Sequence, residues 1–428
     1  MLEEAKKLKN KFTWFDIFHE TYESTPIVFK NNRFYSVSKN DTSGYGVRVN
    51  KDGKSGLSFC NRKGDIVETS KKAESLSHFG QEDHFLLPQR NSFKKMQNEE
   101  NAFPSVDEQI NLANKAIDKI NLVYNDAITD VHISFGRASR HLVNSNDVDY
   151  FDASNWFSAG VYVTRVNEKG VRTEIGDSLY DVNVVNIDRL VDRVLLFHKY
   201  AEKICTIKPG SVPVIFTPSA FSSLISIFLS QMIAVNHYKK ISPFTSKLGE
   251  KVFSSSLSIV DNPLLPHSVN SFDFDDEGLL AKEKKIVNKG VLENIISDLR
   301  YANLLGIEPS GNSSRSYASM PSVSFSNVII EAGNKSYKEI LKNVKRGILV
   351  DQMLGLGQSN TITGEFSCNL DMAFYFEDGE ILGRIKDCMI ADNIYNLLAR
   401  DMEFSNEIET CGNIYTPYTF FDKINLSL

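Results

Sequence analysis

Hydrophobic positions along this chain change period several times, and each change marks an element. Residues 1–12, MLEEAKKLKNKF, read as a short charged amphipathic helix without a long apolar core. Between 12 and 60 the pattern is strand-like. Residues 27–30 and 33–38 flank Asn31-Asn32, and residues 46–49 and 56–59 flank Asp52-Gly53, which predicts two tight hairpins. Helical spacing returns over 67–79, followed by a polar connection over 80–104. Ser105 is a helix cap, with Asp107 and Glu108 in the first turn and Ile110, Ala113, Ile117 and Ile120 on one face. Residues 128–182 then alternate with period two, with turns expected at 144–146 and 168–170. An amphipathic helix over 187–204 closes this half, and its His198 reads as a packed histidine rather than a ligand.

Lys208-Pro209-Gly210 is the best boundary in the chain, and a strand over 212–216 follows it. The next stretch, TPSAFSSLISIFLSQMIAVNHY over 217–238, predicts one helix capped by Thr217 with Pro218 at its first position. Phe221, Leu224, Ile225, Phe228, Leu229, Met232 and Ile233 form its apolar face; Ser219, Ser222, Ser223, Ser226 and Ser230 form a stripe opposite. No charge interrupts it, so it should be covered on most sides. Beyond 256, short strands alternate with helices near 292–305, 337–345 and 391–400. The expected fold class is α+β. Residues 1–208 form an N-terminal domain of helices and antiparallel sheet, divisible into 1–82 and 105–208. Residues 209–428 form a mostly antiparallel β domain with a few helices.

Composition narrows the function classes. With 42% hydrophobic and 24% charged residues over 428 positions, the chain can build more than one core. A net charge of −6 without a long basic run argues against nucleic acid. Prolines and serines break the uncharged 211–238 run, so no membrane span is expected. Cys60, Cys205, Cys368, Cys388 and Cys411 are odd in number and contain no CxxC, which suits reduced thiols and a cytoplasmic location.

Single motifs carry little chemistry. Gly53-Lys54-Ser55 has Arg48 where a phosphate loop needs glycine. The acidic run 273–278 has Lys284 where a calcium loop needs its closing carboxylate, and reads as an acidic turn with a positive-φ glycine. Gly355-Leu-Gly357 lacks a strand–turn–helix setting, and no GxSxG elbow occurs.

Taken in order, however, several segments resemble the TldD/PmbA family, sometimes described as modulators of DNA gyrase and better understood as a peptidase system. They are LGEKV (248–252), SFDFDDEG (271–278), Ser310-Gly-Asn312 with Arg315, GILV (347–350), LGLGQS (354–359), ITGEFS (362–367) and Cys411-Gly412. SGYGVR (43–48) extends the likeness less specifically into the N-terminal half. The resemblance implies a two-subunit design in which TldD-type chains carry zinc on an HExxxH helix with a late cysteine as a further ligand. The corresponding helix here, matched at 230–235, offers Ser230, Gln231 and Val235 instead; Cys411 keeps the late position without partner ligands, and His237 is out of register.

By that resemblance the chain is a TldE/PmbA-type, non-catalytic subunit, paired with a TldD-type catalytic chain or with itself. It would need no cofactor of its own, zinc being held only by the partner, and would act on short unfolded peptides. Asp276, Glu277 and Gly278 together with Gly355, Gly357 and Gly364 are the cleft candidates; no catalytic or metal residue is assigned. The alternatives are a homodimeric peptide-binding scaffold and a peptidase with an unrecognised site.

Overall fold

The computed structural model describes residues 1–96, 104–166, 170 and 172–428. Part of the predicted 80–104 connection and most of the predicted 168–170 turn lie outside the described residues. In the N-terminal half the elements are α1 (Leu2–Leu8), β1 (Trp14–Lys30), β2 (Arg33–Val37), β3 (Asn40–Lys51), β4 (Lys54–Cys60), α2 (Ile66–Ser77), α3 (Val106–Val123), β5 (Ile128–Asn144), β6 (Asp149–Val166), β7 (Arg172–Asp181) and α4 (Ile187–Ala201). Both hairpins turn where expected: Asn31 and Asn32 have φ of 51° and 64°, Asp52 and Gly53 of 53° and 82°, as a two-residue turn matching strand twist requires. Ser105 and Glu108 form a reciprocal capping box on α3. These strands build one antiparallel sheet in the order β4-β3-β1-β5-β6-β7, with β2 on β1.

The C-terminal half begins with β8 (Gly210–Phe216), α5 (Pro218–Gln231), α6 (Ala234–Tyr238), β9 (Ile259–Asp261), β10 (Lys284–Asn288), β11 (Val291–Leu292), α7 (Leu299–Leu305), β12 (Ser313–Ser314), β13 (Ser322–Val323) and β14 (Val328–Ile330). It continues through α8 (Tyr337–Val344), β15 (Arg346–Leu354), β16 (Glu365–Glu377), β17 (Glu380–Ile385), β18 (Met389–Asn393), α9 (Ile394–Ala399), β19 (Met402–Cys411) and β20 (Ile414–Ser427). Strands β8, β15, β16, β18 and β20 pair in succession and close on one another through β20 and β8, forming a small barrel. Pairing is mostly antiparallel, except β8 with β15 and β14 with β20. Among the described residues no helix is long and apolar enough to cross a membrane.

Alternation along β8 and β15 explains their unbroken apolar runs. Val214, Phe216, Ile348 and Val350 pack with α5, whereas Ile215 and Leu349 point to the other side. There they meet α3 and α4, which lie between the barrel and the N-terminal sheet. Ala113, Ile117 and Ile120 of α3 and Leu190, Val194 and Phe197 of α4 share one cluster with Val131, Phe157, Val161 and Ile175 of that sheet and with Phe374 and Phe376 of β16. The two halves of the chain therefore share a core.

The predicted helix over 217–238 departs from expectation in one respect. It breaks at Met232–Ile233, where Ile233 is extended (φ −94°, ψ 135°). A bridge to Ile296 takes over the backbone: Ala234 N donates to Ile296 O at 2.8 Å and Ile296 N to Met232 O at 2.9 Å. Asn236 Nδ2 and the His237 ring then bond the freed carbonyls of Ser230 and Gln231. The same pairing explains why the helix expected over 292–305 starts only at Leu299, with Asp298 as its cap.

Phe374 is fully buried against Phe197 and Tyr200 of α4. Phe374→Ala should cost about 3–5 kcal/mol in urea unfolding monitored by circular dichroism. Because the core is shared, both halves should lose stability in the same transition.

Candidate functional site

Two charged regions lie where the N-terminal sheet meets the rest of the chain. The first contains the acidic turn. Asp16 of β1 takes Arg48 through Nε and Nη2 at 2.9 and 2.6 Å and Arg315 Nη1 at 2.9 Å. Arg48 Nη1 reaches Glu277 at 2.8 Å, and Glu277 also accepts Leu299 N at the start of α7 at 2.9 Å. Burial alone would raise the Asp16 carboxyl, but the Arg315 and Arg48 charges outweigh it and hold it below its ordinary value. Asp276 accepts Arg140 Nη1 at 2.7 Å and Arg315 N at 2.8 Å. Asp275 accepts backbone N–H groups of Glu277, Leu279 and Ser313. Gly278 has φ +90°, as the acidic-turn reading requires. The SGYGVR segment finds its reason here. A Cβ on Gly46 would stand 2.2 Å from Tyr317 O, so only glycine lets the 315–317 segment close over β3 and bring Arg315 to Asp16.

The six cleft candidates fall in three settings. Glu277 is 2% exposed inside this network, Asp276 lines a cavity beside Arg140, and Gly278 packs toward Leu142. Gly355 and Gly357 lie on an exposed turn after β15. Gly364 sits under the Tyr395 ring, which a Cβ would meet at 2.5 Å.

The second region is a groove between the β6–β7 end of the sheet and the barrel. One part, about 520 Å³, is lined by Tyr162, Arg172, Glu174, Gly176, Gln352, Asp371 and Arg384. The adjoining part, about 260 Å³, includes His132, Ser158, Ser178, Tyr180, Thr410 and Gly412, and shares Tyr162. The Tyr162 ring lies across Gly176, where a Cβ would stand 2.1 Å from Cδ1. Along β7, alternate residues from Arg172 to Tyr180 line the groove, while Ile175 enters the core. No described strand pairs with the outer edge of β7.

Behind Thr410 and Gly412, Arg193 of α4 ties the two halves together. It pairs with Asp351 of β15 at 2.7 Å, Glu409 of β19 at 2.9 Å and Asp177 of β7 at 3.4 Å. Thr217, the cap of α5, donates to the same Asp351 oxygen at 2.8 Å. Burial pushes the Asp351 and Asp177 carboxyls up, with Arg193 opposing in each case. Sequence patterning signalled the alternation of β7 but gave no sign of Arg193, whose partners lie up to 216 residues away.

Cys411 adjoins this cluster. Burial pushes its thiol up to about 11, reinforced by the Glu409 charge and opposed by the Ser222 hydroxyl. The late cysteine therefore faces α5 at Ser222. It does not face residues 230–235, where the HExxxH correspondence was drawn and where α5 ends. A metal shared between helix and cysteine would need its helix ligands near Ser222, and Ser222, Ser223 and Ser226 offer only hydroxyls. Zinc takes a thiolate with imidazoles or carboxylates, and a thiol held protonated by burial is a poor ligand. Among the described residues no group of three His, Cys, Asp or Glu side chains could hold a metal. The residues present do not fit zinc. His198 and His237 are buried, bonded to the carbonyls of Val163 and Gln231; burial lowers both, His198 to about 4.

Burial and the Glu277 charge raise Asp298 to about 6, against an ordinary 3.8. The folded chain thus binds this proton more tightly than the unfolded chain. Its contribution to stability is present below pH 4 and is lost as pH rises toward 6. Asn keeps the cap and cannot titrate, so Asp298→Asn should flatten the fall in Tm between about pH 4 and 6 in thermal melts.

Known families match in two stretches: the PmbA/TldA metallopeptidase C-terminal domain over residues 209–428 and PmbA/TldA metallopeptidase domain 1 over residues 15–77. An uncharacterised protein of Methanocaldococcus jannaschii is 27% identical over 383 residues, 88% of each chain. A metalloprotease of Methanothermobacter thermautotrophicus is 34% identical over 152 residues, 36% of this chain and 33% of its own length. The fold superposes on TldE from Thermococcus kodakarensis with a TM-score of 0.91 at 24% identity, covering 100% of this chain and 98% of that one. With the C-terminal family domain filling half of its length, this chain belongs to the PmbA/TldD metallopeptidase family.

Proposed function

We propose that this chain is the TldE/PmbA-type, non-catalytic subunit of a cytoplasmic zinc-dependent peptidase acting on short unfolded peptides. One observation carries the reading: the helix that should hold zinc, α5, contains no histidine, cysteine or carboxylate along PSAFSSLISIFLSQ. Nothing on it can ligate zinc or take a proton from a metal-bound water. The likeness in fold to TldE points the same way. In this reading zinc belongs to a TldD-type partner, and this chain contributes a wall of the peptide cleft.

The groove beside β7 suits that role. An extended peptide can add to the free β7 edge through backbone hydrogen bonds, which need no particular side-chain sequence. Arg172, Glu174 and Tyr180 would then meet alternate side chains. The partner would seat on the solvent side of α5, where Ser223 and Ser226 are exposed and their hydroxyls are turned back onto the carbonyls of Ser219 and Ser222.

Incubated alone with an unfolded peptide, the purified chain should show no chelator-sensitive cleavage. Mixed with an HExxxH-bearing relative it should cleave, and chelator should abolish the reaction. Cleavage by the isolated chain, lost on chelation, overturns the assignment. Ser226→Phe should weaken association in analytical ultracentrifugation by roughly tenfold or more, as overpacking at a close contact costs about 1–3 kcal/mol. Unchanged association places the partner elsewhere.

A further inference from the structure

The two adjoining parts of the groove differ in chemistry. The larger carries Arg172, Glu174, Asp371 and Arg384, whereas no Asp, Glu, Lys or Arg stands among the described residues lining the part of about 260 Å³. Strand register explains the shape of the uncharged part. His132 of β5 lies opposite Gly160 of β6, and Gly160 lies opposite Ser178 of β7. This row therefore has only a bare backbone position and one small side chain between His132 and the sheet edge. The rows on either side carry rings, with Tyr162 opposite Gly176 and Tyr180 opposite Ser158. Period two puts Ser158, Gly160 and Tyr162 on one face of β6, and Gly176, Ser178 and Tyr180 on the same face of β7. The result is a lane floored by Gly160 and Ser178 and walled by Tyr162 and Tyr180. It runs to the β7 edge, on which no described strand pairs.

Both walls are held in place while staying open to solvent. Tyr162 is 39% exposed and Tyr180 42%. Tyr162 rests across Gly176, and Tyr180 tilts against Trp156 with 5.5 Å between ring centroids. Trp156 in turn stacks on Tyr22 at 5.7 Å and lies over Gly136, where a Cβ would come within 2.5 Å of the indole. Rings fixed in this way lose little freedom when a further group joins them. Gly160 has no left-handed backbone to demand glycine. Glycine inside a strand weakens it and marks a place where another group comes close. A Cβ there would press on the Tyr162 ring at 3.0 Å and on the Ser178 Cβ at 3.4 Å, so any side chain at this position would fill the lane.

We propose that this lane is a pocket for an aromatic side chain of the peptide, at the position that faces Ser178 when the peptide extends the sheet at β7. The proposal rests on the β7-edge reading of the groove and adds a preference to it. Directly opposed side chains on paired strands stand about 4.5–5.5 Å apart at Cβ. From there a ring reaches across Ser178 toward Gly160 and lies edge-on or offset to Tyr162 and Tyr180, the arrangements that aromatic pairs favour. A charged side chain would give up water to walls that carry no counter-charge. A small one would leave the lane empty.

Fluorescence anisotropy of labelled peptides with the full chain tests this. The peptides are serine–threonine sequences with phenylalanine, lysine or serine at one central position, so that the variable residue can choose its register. The phenylalanine peptide should bind about tenfold or more tighter than the serine peptide, the worth of burying its side chain. The lysine peptide should gain no such advantage. Ser178→Trp, which fills the lane from an edge strand, should erase the difference between phenylalanine and serine. If that variant does not fold, Tyr180→Ser removes one wall and should cut the advantage about threefold or more. An advantage untouched by the variant that is read overturns the pocket, as does lysine matching phenylalanine. If all three peptides bind alike, the pocket falls and the β7-edge reading stands. If none binds, the β7-edge reading falls and the pocket falls with it.

Discussion

Asp16 holds two guanidinium groups on one buried carboxylate, and the placement of everything around the acidic turn follows from it. Arg48 comes from the same sheet and Arg315 from 299 residues further along. Without it Arg315 would be a buried charge with no ion partner and Arg48 would keep only Glu277, and stranding a charge in the interior costs several kcal/mol. Glu277 completes the arrangement by taking the other end of Arg48 and the N–H of Leu299, the first residue of α7. The network thus fixes where the 273–279 and 313–317 segments lie on the N-terminal sheet. The cavity beside Arg140 is the space left between them.

Local chemistry was legible in the sequence wherever a few neighbouring residues decide the backbone. Asn31-Asn32 and Asp52-Gly53 announced their turns, Ser105 and Glu108 their cap, and the spacing of Leu190, Val191 and Val194 the buried face of α4. Illegible were the features decided by distant partners. Nothing near Ile233 says that the backbone of Ile296 will interrupt a helix of good apolar periodicity. Nothing near Asp276 and Glu277 says that their carboxylates are spent on Arg140 and Arg48. Ordered motifs disclosed the family, and in one of them, SGYGVR, Gly46 stands where the backbone of Tyr317 leaves no room for a side chain.

The region around Cys411 is organised by one buried ion-pair cluster at the start of α5. Thr217, Asp351, Arg193 and Glu409 lock the start of α5 against the barrel and β7. The hydroxyls of Ser222, Ser223 and Ser226 are each bonded to a carbonyl of the preceding turn. The helix is held in place by its cap and its apolar side, so its exposed side is free to vary without unfolding the domain.

Helix α4 touches both walls of the groove: its apolar side serves the shared core, and Arg193 spans from β7 to β15 and β19. A spacer glued to both jaws sets the gap between them much as a shim sets a calliper. The width of the opening is therefore written into the core itself, since the helix that spans it is the one that joins the two halves.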